Sequence, residues 1–167
     1  MNNTTLEEYR RRAKRGEPNA QLELAWEYMK GEALPKDIDA AFALLRELEV
    51  AAPRLARFNI AKIKYLLGDQ TFAEEIRADC EAGFGPSLYL MGVYSKQRVN
   101  GEKGLREAIN YFRFAAREGH LPSEFQVWRI AKVGTWQRLA TTIPAFLTFI
   151  RMVGIRWRDV DDIRILT

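Results

Sequence analysis

The stretch Gly104–Ser123 reads GLREAINYFRFAAREGHLPS, and it contains the signals that end one helix and start another. Within it an aromatic pair is followed, at helical spacing, by two small residues: Tyr111 and Phe112, then Ala115 and Ala116. Gly119 predicts the end of the helix, because only glycine enters the left-handed backbone region without a steric penalty. Pro122 favours a new helix, since a proline in the first turn loses no hydrogen bond. The stretch therefore predicts a helix with one closely packed side, followed at once by a second helix.

Small residues recur along the chain at intervals of 36, 31 and 36 residues, at Ala20, Ala56, Ser87 and Ser123. Four and five positions after the first three of them stand an apolar residue and then a small one: Leu24-Ala25, Ile60-Ala61 and Met91-Gly92. Sequence periods of this length are typical of stacked helix-pair repeats, in which each unit buries its apolar face against its neighbours.

Residues 5–134 resemble the Sel1-like repeat, a relative of the tetratricopeptide repeat. The resemblance is close over Gly104–Ser123 and good over residues 20–56, where the matching positions are Leu24-Ala25, Tyr28, Gly31, Asp37 and Ala41. It implies an all-α fold, a short right-handed α-solenoid of antiparallel helix pairs, with a divergent helical segment at the C-terminus.

The repeat frame divides the chain into a solenoid of residues 1–134 and a C-terminal segment of residues 135–167. The solenoid consists of a half repeat at 5–19, repeats at 20–55, 56–86 and 87–122, and the degenerate start of another at 123–134. The predicted helix pairs are 19–30 with 37–49, 54–67 with 72–82, and 86–96 with 104–118. The repeat at 56–86 is five residues short, so we expect a tight loop after Gly68.

The 167 residues fit a single domain of ordinary globular composition. The N-terminal sequence has no apolar core of a signal peptide, so we expect the chain to stay in the cytoplasm. Cys80 is the only cysteine, which excludes an intramolecular disulfide and a cysteine-rich zinc site.

The net charge of +4 is concentrated in the last quarter of the chain. Residues 1–125 contain 19 basic and 19 acidic residues, whereas residues 126–167 contain seven basic and three acidic ones. This asymmetry indicates a partner or surface for the C-terminal segment.

Residues 138–151 contain twelve uncharged residues between two arginines, too few for a membrane-spanning helix. Three interpretations stay open: a final helix that caps the solenoid, an amphipathic segment that meets a membrane surface or a membrane-bound partner, and a homodimer interface. The predicted docking residues are Phe146, Phe149, Arg151, Arg156, Trp157 and Arg158.

The sequence offers no catalytic set, and we expect no cofactor and no metal. His120 is the only histidine, and its position after Gly119 indicates a role at a helix end. One histidine and one cysteine supply neither a His/Cys metal cluster nor an evident nucleophile pair. No glycine-rich phosphate-binding pattern is present.

The resemblance implies that the first helix of each pair lines a concave groove through its third, seventh and tenth residues. At these positions an aromatic and apolar row lies beside a row that becomes basic toward the C-terminus, which suits an acidic and apolar peptide. The alternative for third-position aromatics is packing between helices. The predicted groove residues are Trp26, Met29, Phe58, Lys62, Tyr65, Tyr89, Lys96, Arg129 and Lys132.

These observations favour a non-enzymatic scaffold or adaptor, and we expect Trp26→Ala and Arg129→Glu to weaken binding of a protein partner without loss of the fold. By resemblance, bacterial members of the family commonly serve as scaffolds in envelope, polysaccharide or secretion systems. The alternative is a peripheral accessory subunit at the inner membrane, attached through residues 138–158. Nucleic acid is a weaker candidate partner, because the repeat region has no basic excess.

Overall fold

The computed structural model describes residues 3–98, 101–130, 147–148 and 151–152, with side chains from residue 6 onward. Every regular element in this part of the chain is a helix, as the sequence predicts. The helices are α1 (Asn3–Lys14), α2 (Pro18–Lys30), α3 (Ile38–Leu48), α4 (Pro53–Leu66), α5 (Phe72–Glu75), α6 (Arg77–Glu81), α7 (Gly85–Arg98), α8 (Glu102–Arg117) and α9 (Leu121–Ile130).

The chain forms two compact units, Met1–Ile76 and Arg77–Thr167. In the first unit α2 packs against both α1 and α3, and α4 packs against α3 and α5. In the second unit α8 packs against both α7 and α9. This division into two units does not test the repeat boundaries drawn from the sequence, which stay a prediction.

Local signals set the ends of the helices in the first unit. Pro18 and Pro53 each occupy the first position of a helix. Gly31 ends α2 in the left-handed conformation, with φ 76°, and its N–H donates to the Glu27 carbonyl. Asp37 caps α3, where its carboxylate accepts a hydrogen bond of 2.9 Å from the backbone N–H of Ala40. These are the conformations that glycine and aspartate favour at helix ends.

The core of the first unit has two apolar clusters. One lies among α2, α3 and α4 and contains Ala25, Ala41, Leu45, Leu48, Ala56, Ile60 and Ile63. The other lies around α1 and α2 and contains Leu6, Ala13, Ala20, Leu24 and Leu34. Four consecutive residues of α4, from Phe58 to Ala61, are buried, so the middle of this helix is covered on most of its sides.

The predicted helix 72–82 is wrong in one respect, because it is interrupted at Ile76 and forms α5 and α6 instead. Ile76 is fully buried and has φ −104° and ψ 4°, outside the helical region. Packing of this β-branched side chain, a weak helix former, overrides the local pattern. The connection before α5 is short, and it begins with Gly68 at φ 79°.

In the second unit α7 and α8 pack closely together at Gly92. A Cβ atom built on Gly92 would lie only 2.6 Å from Cε1 of Phe112, which is fully buried. Ala108 and Ala115 are also fully buried on this side of α8. Gly119 has φ 84° just beyond the end of α8, which confirms the predicted stop signal.

Four residues of the predicted C-terminal segment lie within the described part of the chain. Thr148 is buried, Leu147 is exposed, and both belong to a helical stretch. A guanidinium nitrogen of Arg151 lies 3.9 Å from a carboxylate oxygen of Glu124 on α9. The three interpretations of residues 135–167 stay predictions beside this single contact.

Candidate functional site

A tryptophan–lysine cluster, formed by Trp26, Phe58, Asn59 and Lys62, is the most developed polar and aromatic arrangement in the first unit. The ammonium nitrogen of Lys62 lies 5.3 Å from the ring centroid of Trp26 and 5.8 Å from that of Phe58. Both distances are within the range of a cation–π interaction. The cluster therefore holds one positive charge against two aromatic rings.

Asn59 fixes the orientation of the tryptophan ring. The indole N–H of Trp26 donates a hydrogen bond of 2.9 Å to Oδ1 of Asn59. The amide nitrogen of Asn59 in turn donates 2.8 Å to the carbonyl oxygen of Leu55, one turn earlier on α4. Asn59 is buried, so these bonds satisfy a polar group that would otherwise be costly to remove from water.

Burial lowers the pKa of Lys62 below its ordinary value of 10.5. The cause is desolvation, since taking an ammonium group out of water disfavours its charged form. The side chain is only partly buried, however, and retains access to solvent. Lys62 therefore presents a charge that has already lost part of its hydration.

The other predicted groove residues of the first unit have different environments. Met29 is half-buried and packs against the core cluster of α2, α3 and α4. The Tyr65 ring makes an edge contact with Phe72, at a centroid distance of 5.3 Å. Phe58 is 2% exposed, so in this conformation its side chain offers almost no surface to a partner. The interhelical packing expected as the alternative for third-position aromatics is what the structure shows.

Trp26 is also more deeply anchored than the sequence predicts. It packs against the core cluster and holds the bond to Asn59. Trp26→Ala would remove these core contacts and leave the buried amide of Asn59 without this partner, so its effect on the fold stays a prediction to be measured alongside binding.

The second unit contains Tyr89, Lys96 and Arg129. Tyr89 is half-buried, and its ring lies 5.5 Å from Phe112 and 5.4 Å from His120. Its hydroxyl oxygen accepts a hydrogen bond of 3.3 Å from the amide of Gln126. Both cations are exposed. Lys132 lies outside the described residues.

Of the predicted docking residues, the structure describes Arg151. Its side chain is exposed and forms the ion pair with Glu124. The remaining predicted positions lie outside the described residues: Phe146, Phe149, Arg156, Trp157 and Arg158.

His120 and Ser123 form a nucleophile-like pair that the sequence did not predict. Nδ1 of His120 lies 2.8 Å from Oγ of Ser123. Both side chains are buried, however, so a substrate has no access to them in this conformation. Their position in the first turn of α9 indicates that the contact stabilises a helix start, in agreement with the helix-end role expected for His120.

Two further features bear on chemistry. Burial raises the pKa of the Cys80 thiol to about 12, so the group is largely protonated and unreactive in the folded chain. Within the described residues, no group of three or more His, Cys, Asp and Glu side chains is arranged to hold a metal ion.

In the same part of the chain, no helix has the length and apolar character needed to cross a membrane.

Solved structures of two other proteins share this arrangement of helices. A Sel1 repeat protein from Oxalobacter formigenes matches with a TM-score of 0.53 and 18% identity, over 74% of this chain and 53% of the other. A protective antigen of uropathogenic Escherichia coli strains, with an SLR (Sel1-like repeat) fold, matches with a TM-score of 0.50 and 22% identity, over 73% of this chain and 27% of the other. The chain thus spans about half the length of the first protein and about a quarter of the second.

The chain has a Sel1-like repeat fold. The resemblance seen in the sequence, to an all-α relative of the tetratricopeptide repeat, is confirmed at the level of the fold. No protein-family model matches the sequence, and the curated proteins give no significant match. The likeness is therefore one of structure, at identities that show the fold alone.

Within the Sel1-like repeat fold, the residue that sequence reasoning missed is Asn59. It lies in the buried stripe of α4, between Ala56 and Ile63, at helical spacing from both. A single amide in an otherwise apolar stripe was the available signal, because a buried amide needs a hydrogen-bonding partner from another element. That partner is Trp26.

Proposed function

We propose that this protein is a non-enzymatic adaptor that binds a protein partner through the tryptophan–lysine cluster. The observation that supports the proposal most directly is the position of Lys62 against the Trp26 ring. Its ammonium group is already partly desolvated, so pairing with a carboxylate of a partner removes less water than at a fully exposed lysine. The half-buried aromatic surface beside it suits an apolar side chain. The partner segment is therefore acidic and apolar.

The fold and the chemistry of the described residues support the same class of function. Proteins with a Sel1-like repeat fold commonly serve as scaffolds for protein–protein interaction. Within the second unit, Lys96 and Arg129 are exposed, so that unit also presents cations that suit an acidic partner. We propose a bacterial assembly or regulatory scaffold, acting in the cytoplasm, as the setting.

The test begins with a photo-crosslinking amino acid placed at Met29, next to the cluster, in the full chain. The crosslinked protein is identified by mass spectrometry, and its affinity is measured by calorimetry for the wild type, Lys62→Gln and Lys36→Gln. Lys36 is an exposed lysine of the same unit and provides the matched control. We expect Lys62→Gln to raise the Kd about tenfold or more, since it removes one member of a partly desolvated charge pair. An unchanged Kd for Lys62→Gln, with an unchanged melting curve, would refute the role of the cluster.

We propose peripheral membrane attachment through residues 138–158 as the second candidate function. The supporting observation is the exposure of Leu147, an apolar side chain beside the exposed Arg151. An apolar residue next to a cation is typical of segments that lie on anionic membranes. Co-sedimentation of the full chain with anionic and neutral vesicles at low salt tests it, because absence of binding to anionic vesicles would exclude direct attachment.

A further inference from the structure

The first unit contains a groove, with a volume of about 880 Å³, that lies on α2 between α1 and α3. Its floor includes Leu24 and Tyr28, which are four residues apart and share one face of α2. Trp26 lies between them in sequence and therefore points to the other side of the helix. The groove is thus separate from the tryptophan–lysine cluster.

The α3 wall of the groove is small and apolar. Ala40, Ala43 and Leu44 line it, and Glu47 stands at its end. The four residues are spaced as i, i+3, i+4 and i+7, so they form one continuous stripe along two turns of the helix. Side chains as small as alanine let another backbone come close to this wall.

The residues of the α1 wall have the same spacing as those of the α3 wall, but they are charged. Its stripe consists of Glu7, Arg10, Arg11 and Lys14. Glu7 forms an ion pair with Arg10 inside the stripe. Across the described residues, neither Arg11 nor Lys14 forms an ion pair, so the wall presents two cations whose charge is not neutralised by a carboxylate.

The neighbouring basic residues, Arg12 and Arg15, do not add to the positive charge of Arg11 and Lys14, because both pair with a carboxylate. Arg15, which also lines the groove, is bonded to Glu17 at 2.8 Å, and Arg12 is bonded to the same carboxylate at 2.6 Å. The positive charge that faces the groove is therefore localised at Arg11 and Lys14 on the α1 wall. Within the described part of the chain, the groove also contains one carboxylate without an ion pair, that of Glu47 on α3, which accepts a hydrogen bond of 3.4 Å from Gln21.

We infer that this groove binds a short amphipathic helix whose apolar stripe is flanked by carboxylates on one side. The apolar residues of such a helix would cover the floor and the alanine wall, and the carboxylates would pair with Arg11 and Lys14. Each wall stripe spans eight residues, and its first and last residues are about 10 Å apart at 1.5 Å per residue, so about two turns of a partner helix match the groove in length.

The geometry favours this occupant over two others. A small molecule is usually enclosed on most of its surface, whereas Arg11, Lys14 and Ala43 are exposed along the rims. A nucleic-acid backbone needs several accessible cations and gains nothing from an apolar floor, and here the cations that are not neutralised are two. Charge complementarity and the alanine wall together specify an acidic helix.

The test uses the full chain and a fluorescein-labelled peptide of about 15 residues, long enough to form a helix. The peptide carries leucine at i, i+3, i+4 and i+7 with glutamate along one side, and its matched control has glutamine in place of glutamate. Fluorescence anisotropy gives the Kd at low and high salt. The protein variants are Ala43→Trp, which obstructs the groove, and the double variant Arg11→Gln with Lys14→Gln. The control double variant, Arg54→Gln with Lys36→Gln, removes two exposed cations elsewhere in the same unit.

We expect the glutamate peptide to bind more tightly than the glutamine peptide. The Arg11→Gln and Lys14→Gln pair should raise its Kd about three- to thirtyfold at low salt and by less at high salt, because exposed ion pairs are weak and screened. Ala43→Trp should abolish most of the binding, and the control double variant should leave it nearly unchanged. Lys62→Gln should also leave it unchanged, which separates this inference from the proposed function.

Four outcomes would overturn the inference. The glutamate peptide does not bind; the glutamine peptide binds equally well; Ala43→Trp and the double variant at Arg11 and Lys14 have no effect while the proteins remain folded; or a single-stranded oligonucleotide displaces the peptide and depends on the same two cations. Analytical sedimentation of the full chain tests a fifth outcome that would overturn the inference. A dimer that Ala43→Trp dissociates would show that the occupant is a second copy of this chain.

Discussion

Gly92→Ala tests the contact between α7 and α8 directly. The added Cβ would lie 2.6 Å from Cε1 and 2.8 Å from Cδ1 of Phe112. Carbon atoms in contact are normally about 3.5–4.0 Å apart, so the overlap is close to 1 Å. Phe112 is fully buried, and its ring also lies against Tyr89, so a shift of the ring would disturb this second contact. The substitution should therefore strain the helix pair.

The expected size of the effect combines two opposing contributions. Replacing glycine by alanine inside an unobstructed helix stabilises by about 1 kcal/mol. Overpacking a well-filled core costs about 1–3 kcal/mol. We therefore expect Gly92→Ala to lower the free energy of unfolding by about 1 kcal/mol, with a range from about zero to 2. The sign alone is informative, because an unobstructed site would give a gain.

The double variant Gly92→Ala with Phe112→Leu separates the two contributions. It places in the second unit the residue types that occur at the corresponding repeat positions of the first, Ala25 and Leu45, which share one core cluster. Removing the ring edge should relieve the overlap, so Gly92→Ala should become neutral or stabilising in the Phe112→Leu background. The expected coupling energy is about 1–2 kcal/mol, within the range found for residues in contact.

Urea denaturation followed by far-UV circular dichroism measures the four free energies of this cycle. The reasoning is refuted if Gly92→Ala stabilises the wild-type protein by about 1 kcal/mol, as at an open helical site. It is also refuted if the two substitutions are additive within about 0.3–0.5 kcal/mol, the scatter expected of independent sites.

Three further predictions concern the first unit. Asp37→Ala should lower the free energy of unfolding by about 0.5–2 kcal/mol, because it removes the N-cap of α3. An unchanged free energy of unfolding in urea denaturation would contradict this role of Asp37. Gly31→Ala should be more destabilising than Gly16→Ala: both have positive φ, but a Cβ on Gly31 would lie 2.8 Å from the Cβ of Lys36, whereas Gly16 has no atom within 4 Å. If urea denaturation showed the same decrease in the free energy of unfolding for both variants, the contact between Gly31 and Lys36 would be contradicted. Burial lowers the pKa of Lys62, so the folded state binds fewer protons than the unfolded state, and its stability relative to Lys62→Met should rise from pH 7 toward pH 10.5. A stability difference that does not vary with pH would contradict this linkage.

The helix ends were predictable because their signals are local. Gly31 and Gly119 adopt the left-handed conformation that a helix stop requires, and Pro18 and Pro53 start helices as proline should. The interruption at Ile76 was not predictable, because neither glycine nor proline marks it. Its backbone angles follow from the burial of one side chain, which the pattern of a single segment does not contain.

The candidate site shows a similar division. Trp26 and Lys62 were predicted individually, at equivalent positions 36 residues apart in consecutive repeats. The repeat frame brings such positions onto adjacent helices, so their proximity follows from the period. The burial of Phe58 and the bond between Asn59 and Trp26 depend instead on how α2 and α4 pack together. Tertiary contacts of that kind are not encoded in either helix alone.

The half-buried thiol of Cys80 gives this chain an internal reporter of changes in its own exposure. Because desolvation raises the pKa of this thiol from the ordinary 9.0 to about 12, the folded state contains far less thiolate than an open state at the same neutral pH. Because the sequence has no other cysteine, a thiol reagent added to the unmodified protein reacts at one position. Its labelling rate would then measure how often the α6 region opens, and it would do so without a mutation or a dye.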